Sequence, residues 1–171
     1  MSTMTECRTE TASLTKTAVL LALALVFQIG LASLAQPVVG PLVNMVLILA
    51  VLKVSPAAAI MIGCMTPLAA YMLGIMPLFP VLPVIMAGNA VYILLFSAFY
   101  KYNQWLAVFS AAIAKFFLMA MLIRLMAFTI FSGIPGPLIT ALSLPQFYTA
   151  LIGGSVAILV NRCLPRKPVT D

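Results

Sequence analysis

Apolar residues dominate the chain and are broken at intervals by Pro, Gly and charge. These breaks divide it into six apolar runs, at about 16–35, 38–54, 55–75, 81–100, 104–131 and 144–163. Each run is near the roughly 20 residues that a helix needs to cross the hydrocarbon core of a bilayer. The second is short and the fifth long, differences that tilt and local thinning absorb. The pattern predicts an all-α integral membrane bundle of about six transmembrane helices. Ser55-Pro56 reads as an N-cap followed by proline at the first helical position. Pro165 stops the last run, and Thr66-Pro67 predicts a kink inside the third. Residues 1–15 read as a polar, frayed leader, 16–165 as the membrane domain and 166–171 as a short tail.

Lys and Arg set the orientation. Arg8 and Lys16 precede the first run, Lys53 lies between the second and third, and Lys101 lies between the fourth and fifth. Arg162, Arg166 and Lys167 follow the sixth. The three alternate connections, around Gln36, Pro77–Pro80 and Gly133–Pro137, carry none. Every flanking positive charge thus falls on one side, which the positive-inside rule makes the cytoplasm, with both termini there. The first run is long for a signal peptide and follows fifteen mixed polar residues, so it reads as an uncleaved span. The two proline-rich outer connections read as short stiff caps that either turn the chain or close over a solute.

Composition narrows the chemistry. Of 171 residues, 64% are hydrophobic and 7% charged, against about 25% charged in a soluble domain. The net charge is +6, but the basic residues are scattered, which argues against nucleic-acid binding. There is no His, and Cys7, Cys64 and Cys163 have no zinc-site spacing. The acids Glu6, Glu10 and Asp171 all lie in the tails. Carboxylate-dyad catalysis and carboxylate-coupled proton transport are therefore disfavoured. No nucleotide-binding P-loop occurs, so uphill transport would need energy from another subunit. No cofactor is implied.

What remains is a set of polar groups inside apolar runs. Gln28, Asn44, Asn89, Gln146 and Tyr148 fall mainly in the outer half of the bundle, whereas Thr66 and Ser97 are exceptions in a largely apolar inner half. Tyr71, Tyr92, Phe147 and Tyr148 offer aromatic walls. Lys115 lies eleven residues past Gln104, roughly 16 Å along the helix, with no acid in any span to pair with it. Its partners must be carbonyls, water or an anionic ligand, unless it snorkels. Arg124 is nine residues further, on nearly the opposite face of a straight helix. The candidate binding residues are Gln28, Asn44, Asn89, Tyr92, Lys115, Arg124, Gln146 and Tyr148. The competing account is that the amides only bond helix to helix and the aromatics only pack. Two cations without acids favour a carboxylate or phosphate substrate. Small residues at Ala18 and Ala22, and at Gly153 and Ala157 beside Ala150 and Gly154, mark close helix contacts, within the bundle or with a partner.

Several motifs in order resemble the substrate-binding S component of energy-coupling factor (ECF) vitamin transporters. They are Ala18-x-x-x-Ala22, Pro41-Leu42-Val43-Asn44-Met45, Thr66-Pro67-Leu68, Met76-Pro77-Leu78-Phe79-Pro80-Val81-Leu82-Pro83, Gly88-Asn89-Ala90-Val91-Tyr92 and the basic Lys115. The resemblance covers about residues 14–166. It implies a non-catalytic receptor in the plasma membrane of a prokaryote, binding a vitamin or related micronutrient near the outer face. It implies docking on a transmembrane coupling (T) subunit through Ala18 and Ala22, energy from two cytoplasmic ATPases, and toppling in the membrane to release cargo. It places Asn89 and Lys115 at pocket or core polar positions. Lys115 and Arg124 suggest an anionic, pantothenate-like substrate. The alternatives are a membrane scaffold or assembly subunit without ligand, and a self-sufficient facilitator.

Overall fold

The computed structural model describes residues 2–32, 36–76, 79–129 and 136–164. Its elements are α1 (Ser2–Leu25), running into a single wide π turn at Val26–Gly30, then α2 (Gln36–Lys53), α3 (Pro56–Met72), α4 (Val81–Phe99), α5 (Gln104–Thr129), a short α6 (Gly136–Ala141) and α7 (Leu144–Cys163). The described residues include four helical stretches long and apolar enough to cross a membrane: Glu10–Gly30, Val81–Phe99, Gln104–Phe128 and Gly136–Cys163. The helices at Pro37–Lys53 and Pro56–Met72 are apolar but shorter. The chain is thus a multi-span, all-α membrane bundle.

The leader expected to fray is instead helical, continuous with the first apolar run from Ser2. No Gly or Pro occurs before Gly30, so nothing in the backbone breaks the helix there. The helix starts after Ser55 and Asn103 follow capping chemistry. Ser55 Oγ accepts from Ala58 N at 3.1 Å, with Pro56 next to it in the first turn. Asn103 Oδ1 accepts from the backbone N–H of Trp105 at 2.9 Å and of Leu106 at 3.3 Å, satisfying donors at the start of α5. Gly74 ends the α3 region with φ of 71°, a left-handed conformation that glycine adopts without a Cβ penalty. The proline-rich connections fall partly outside the described residues, at 77–78 and 130–135.

α2 packs most extensively on α7, and α4 on α5. Small residues make the first of these close. A Cβ on Gly153 would run into the Pro41 carbonyl and lie 2.8 Å from Asn44 Cβ; one on Gly40 would lie 2.8 Å from Thr149 Cγ2. The small residues of α7 therefore serve packing inside the bundle. Ala18 and Ala22 behave differently, since both are exposed on α1. Large apolar side chains such as Phe117, Met121, Leu94 and Ile152 cover the outside of the bundle, as expected where lipid is the solvent.

The buried side chains form two apolar clusters. One includes Leu47, Ile62, Tyr92, Phe96, Ala112 and Ile158; the other Val81, Val84, Met119, Ile123 and Leu142. Along α5, Lys115 falls between Ala112 and Met119; along α4, Asn89 falls between Val84 and Tyr92. A polar layer thus separates the two clusters.

Candidate functional site

Lys115 is the centre of that layer and is 3% exposed. Its Nζ donates to Asn44 Oδ1 at 2.7 Å and to Asn89 Oδ1 at 2.8 Å, and it lies 5.3 Å from the centroid of the Tyr92 ring. The ammonium is buried inside the bundle and does not reach its outer surface. Amide oxygens and the ring face compensate it in place of a carboxylate.

Both amides are held so that their oxygens face the cation. Pro67 has no N–H, so the carbonyl of Gly63, four residues earlier, lacks its helical donor. Asn89 Nδ2 supplies that donor at 2.8 Å, which turns Asn89 Oδ1 toward Lys115. α3 continues through Pro67 with this substitute bond in place. On the other side, Asn44 Nδ2 reaches Thr149 Oγ1 at 3.5 Å, and Thr149 Oγ1 donates to the Gln146 carbonyl at 3.2 Å. The chain of bonds runs through α3, α4, α5, α2 and α7. Tyr92, one turn beyond Asn89, adds a second tie from α4 to α7 through its hydroxyl, which donates to the Ala150 carbonyl at 2.7 Å.

Beside this layer lies a partly open cavity of about 50 Å³, lined by Gln28, Asn44, Asn89, Lys115 and Gln146 among the candidate residues. Gly40, Val43, Thr66, Pro67, Met76 and Ile85 complete its walls. Space of this size takes a few waters or one small polar group. An ammonium has three donors, and two are engaged by the asparagines, so a third remains for whatever enters.

The remaining candidates are not at this cavity. Arg124 is exposed, and its guanidinium donates to the Ala120 carbonyl on its own helix at 3.2 Å. Tyr148 is 53% exposed and packs edge-on to Phe147, while Phe147 meets Phe109 and Phe116. Tyr71 meets Phe79. Tyr92 lies beneath Lys115 as a fully buried support rather than as a cavity wall. Thr66, expected in the inner half, instead reaches the cavity, with its hydroxyl donating to the Ile62 carbonyl at 3.1 Å. Thr149 was not singled out from sequence. Its signal was its spacing, three residues past Gln146 and four before Gly153, on one face of α7.

Neither the curated proteins nor the solved structures compared with the chain give a match. A family model described as "ECF transporter, substrate-specific component" matches residues 12–162. The chain therefore belongs to the substrate-specific components of ECF transporters, membrane receptors that bind a solute without transforming it.

Proposed function

We propose that the chain is the high-affinity receptor of an ECF-type importer for a carboxylate-bearing vitamin or related micronutrient, pantothenate-like in its charge. The observation that carries this reading is Lys115, a buried cation with a donor to spare at a cavity where the described residues provide no acid. Within a bundle, an ionisable group held away from any counter-charge marks a ligand or ion path. A carboxylate beside Nζ would complete its coordination. Gln28, Gln146, Asn44 and Asn89 would orient the polar remainder of the ligand.

The cavity of about 50 Å³ accommodates a carboxylate but not a whole vitamin. Binding thus requires the walls to part, with Met76 and the glutamine side chains as the adjustable groups. The proposed topology has six crossings and cytoplasmic termini, which puts the start of α2 and α7 and the end of α1 on the outer side. The cavity then faces the medium from which cargo comes. The exposed Ala18 and Ala22 would meet a T subunit bearing two ATPases.

The test is thermal unfolding of the purified chain against a panel of vitamins, with mass spectrometry of any ligand retained through purification. A ligand at a hundredfold over its Kd stabilises by about 2.7 kcal/mol, a shift of several degrees. We expect a carboxylate-bearing member to give it. If no member shifts the transition and nothing co-purifies, the receptor reading fails and a scaffold role replaces it. Uptake by the chain alone in vesicles would instead establish a facilitator.

A further inference from the structure

α1 and α2 pack less extensively on each other than α2 does on α7, and a groove of about 540 Å³ opens beside them. Val19 and Leu20 of α1, Leu49 of α2 and Leu164 form its apolar walls, and Lys16 and Lys53 also line it. The helices run in opposite directions here. Gln28 shares the polar cavity with Gly40 and Asn44, whereas Lys16 and Leu20 share the groove with Leu49 and Lys53. Lys16 precedes Val19 and Leu20 by about a turn, and Lys53 follows Leu49 by one. Both lysines therefore lie at the same end, beside Leu164 after α7, and Val19, Leu20 and Leu49 extend from them toward the middle of the bundle.

We propose that this groove binds an anionic phospholipid, with its phosphate between Lys16 and Lys53 and one acyl chain along Val19, Leu20 and Leu49. The groove has a phospholipid's own polarity, cationic at the bilayer boundary and apolar inward. No acid lines it among the described residues, so its two cations attract an anion there. An apolar helix laid over it would take two ammonium groups out of water with no counter-charge among the described residues; a lipid phosphate neutralises them. The site is distinct from the Lys115 cavity and does not depend on what that cavity takes.

Native mass spectrometry tests this on the purified full chain, offered phosphatidylglycerol and phosphatidylcholine with matched acyl chains. Each lysine near an anionic headgroup contributes about fivefold in affinity, so with two lysines phosphatidylglycerol should be retained roughly twenty-five-fold better. Lys16→Gln with Lys53→Gln should abolish that preference, and Lys101→Gln, in the exposed α4–α5 turn, should keep it. Val19→Trp, which fills the apolar wall, should lower retention of both lipids. If the double variant does not fold, each single variant should give an intermediate preference. Equal retention of the two lipids by the native chain would overturn the proposal, as would a preference unchanged in both single lysine variants or a retention of both lipids unchanged in Val19→Trp. A native chain that retains no lipid, with a Val19→Cys thiol shielded only when the coupling subunit is added, would assign the groove to that subunit instead.

Discussion

The Lys115 ammonium on α5 is 2.7 Å from Asn44 Oδ1 on α2, a contact between positions 71 residues apart. With the matching bond to Asn89 on α4, it makes one cation the junction of three helices. Lys115→Met keeps an unbranched side chain, one atom shorter, and removes its donors, leaving two amide oxygens without their partner. We expect a loss of about 1–3 kcal/mol in unfolding of the ligand-free protein, together with loss of ligand affinity of at least tenfold. Melts and equilibrium binding measured on the same samples separate the two. Unchanged affinity would remove Lys115 from the site.

Pro67 acts on the same junction through an absence. Pro67→Ala returns an N–H to Gly63's carbonyl, which then no longer depends on Asn89 Nδ2. The Asn89 amide becomes free to rotate, and its oxygen spends less time on Lys115. We expect unfolding of the ligand-free chain to be unchanged or shifted upward, because the helical bond is restored, while affinity falls about threefold by loss of preorganisation. Isothermal titration reads the second quantity. A drop in stability with affinity intact would show that Asn89 is held by other contacts.

These two residues also show how much the sequence could reveal. An uncompensated lysine and two asparagines in apolar runs are legible because lipid makes such groups costly, so each demands a partner. The six apolar runs are legible for the same reason, and five of the six lie close to helices at both ends. Facing is harder. Tyr148 lies two positions from Gln146, which rotates it about 200° around α7, and it points outward while Gln146 meets the cavity. Arg124 fails by the same geometry, at nine positions from Lys115. The partner of the Gly63 carbonyl depends on tertiary packing of α3 on α4, which no local pattern encodes. The helical leader was missed because polarity was read as disorder, although no residue in it breaks a helix.

Gly153 tests the packing that holds Asn44 in place. Gly153→Ala puts a Cβ against the Pro41 carbonyl and within 2.8 Å of Asn44 Cβ. A backbone carbonyl cannot move without shifting α2, so we expect destabilisation of about 1–3 kcal/mol and weaker ligand binding. Gly136→Ala, with nothing within 4 Å of the added carbon, should stay within about 0.5 kcal/mol. Thermal melts of the pair decide this, and equal effects would mean that α2 and α7 are free to separate.

Ala18 and Ala22 lie one turn apart on the exposed face of α1, where small side chains let a second helix approach. Ala18→Leu with Ala22→Leu should leave folding and ligand affinity as they are. Uptake by membranes containing the coupling subunit and ATPases should fall to background. Measuring binding and uptake on one preparation distinguishes a docking face from a structural one; loss of binding would refute the docking assignment.

Asn44→Asp asks whether Lys115 waits for an anion. The new carboxylate keeps one oxygen at Lys115 and replaces Nδ2, now 3.5 Å from Thr149 Oγ1, with a second oxygen. The Thr149 hydroxyl can turn from the Gln146 carbonyl to donate to it, so the internal ion pair is satisfied on both sides. Asn89→Asp has no such relief, because its second oxygen would face the Gly63 carbonyl acceptor. We therefore expect Asn44→Asp to fold at least as stably as the native chain, and Asn89→Asp to lose stability. Both should lose affinity for a carboxylate ligand, by about tenfold or more for Asn44→Asp, since an internal anion now competes for the ammonium. An uncharged analogue of the same ligand should be much less affected. If Asn44→Asp binds the carboxylate ligand as tightly as the native chain, the ligand's charge is not met at Lys115, and a neutral solute becomes the better account of this cavity.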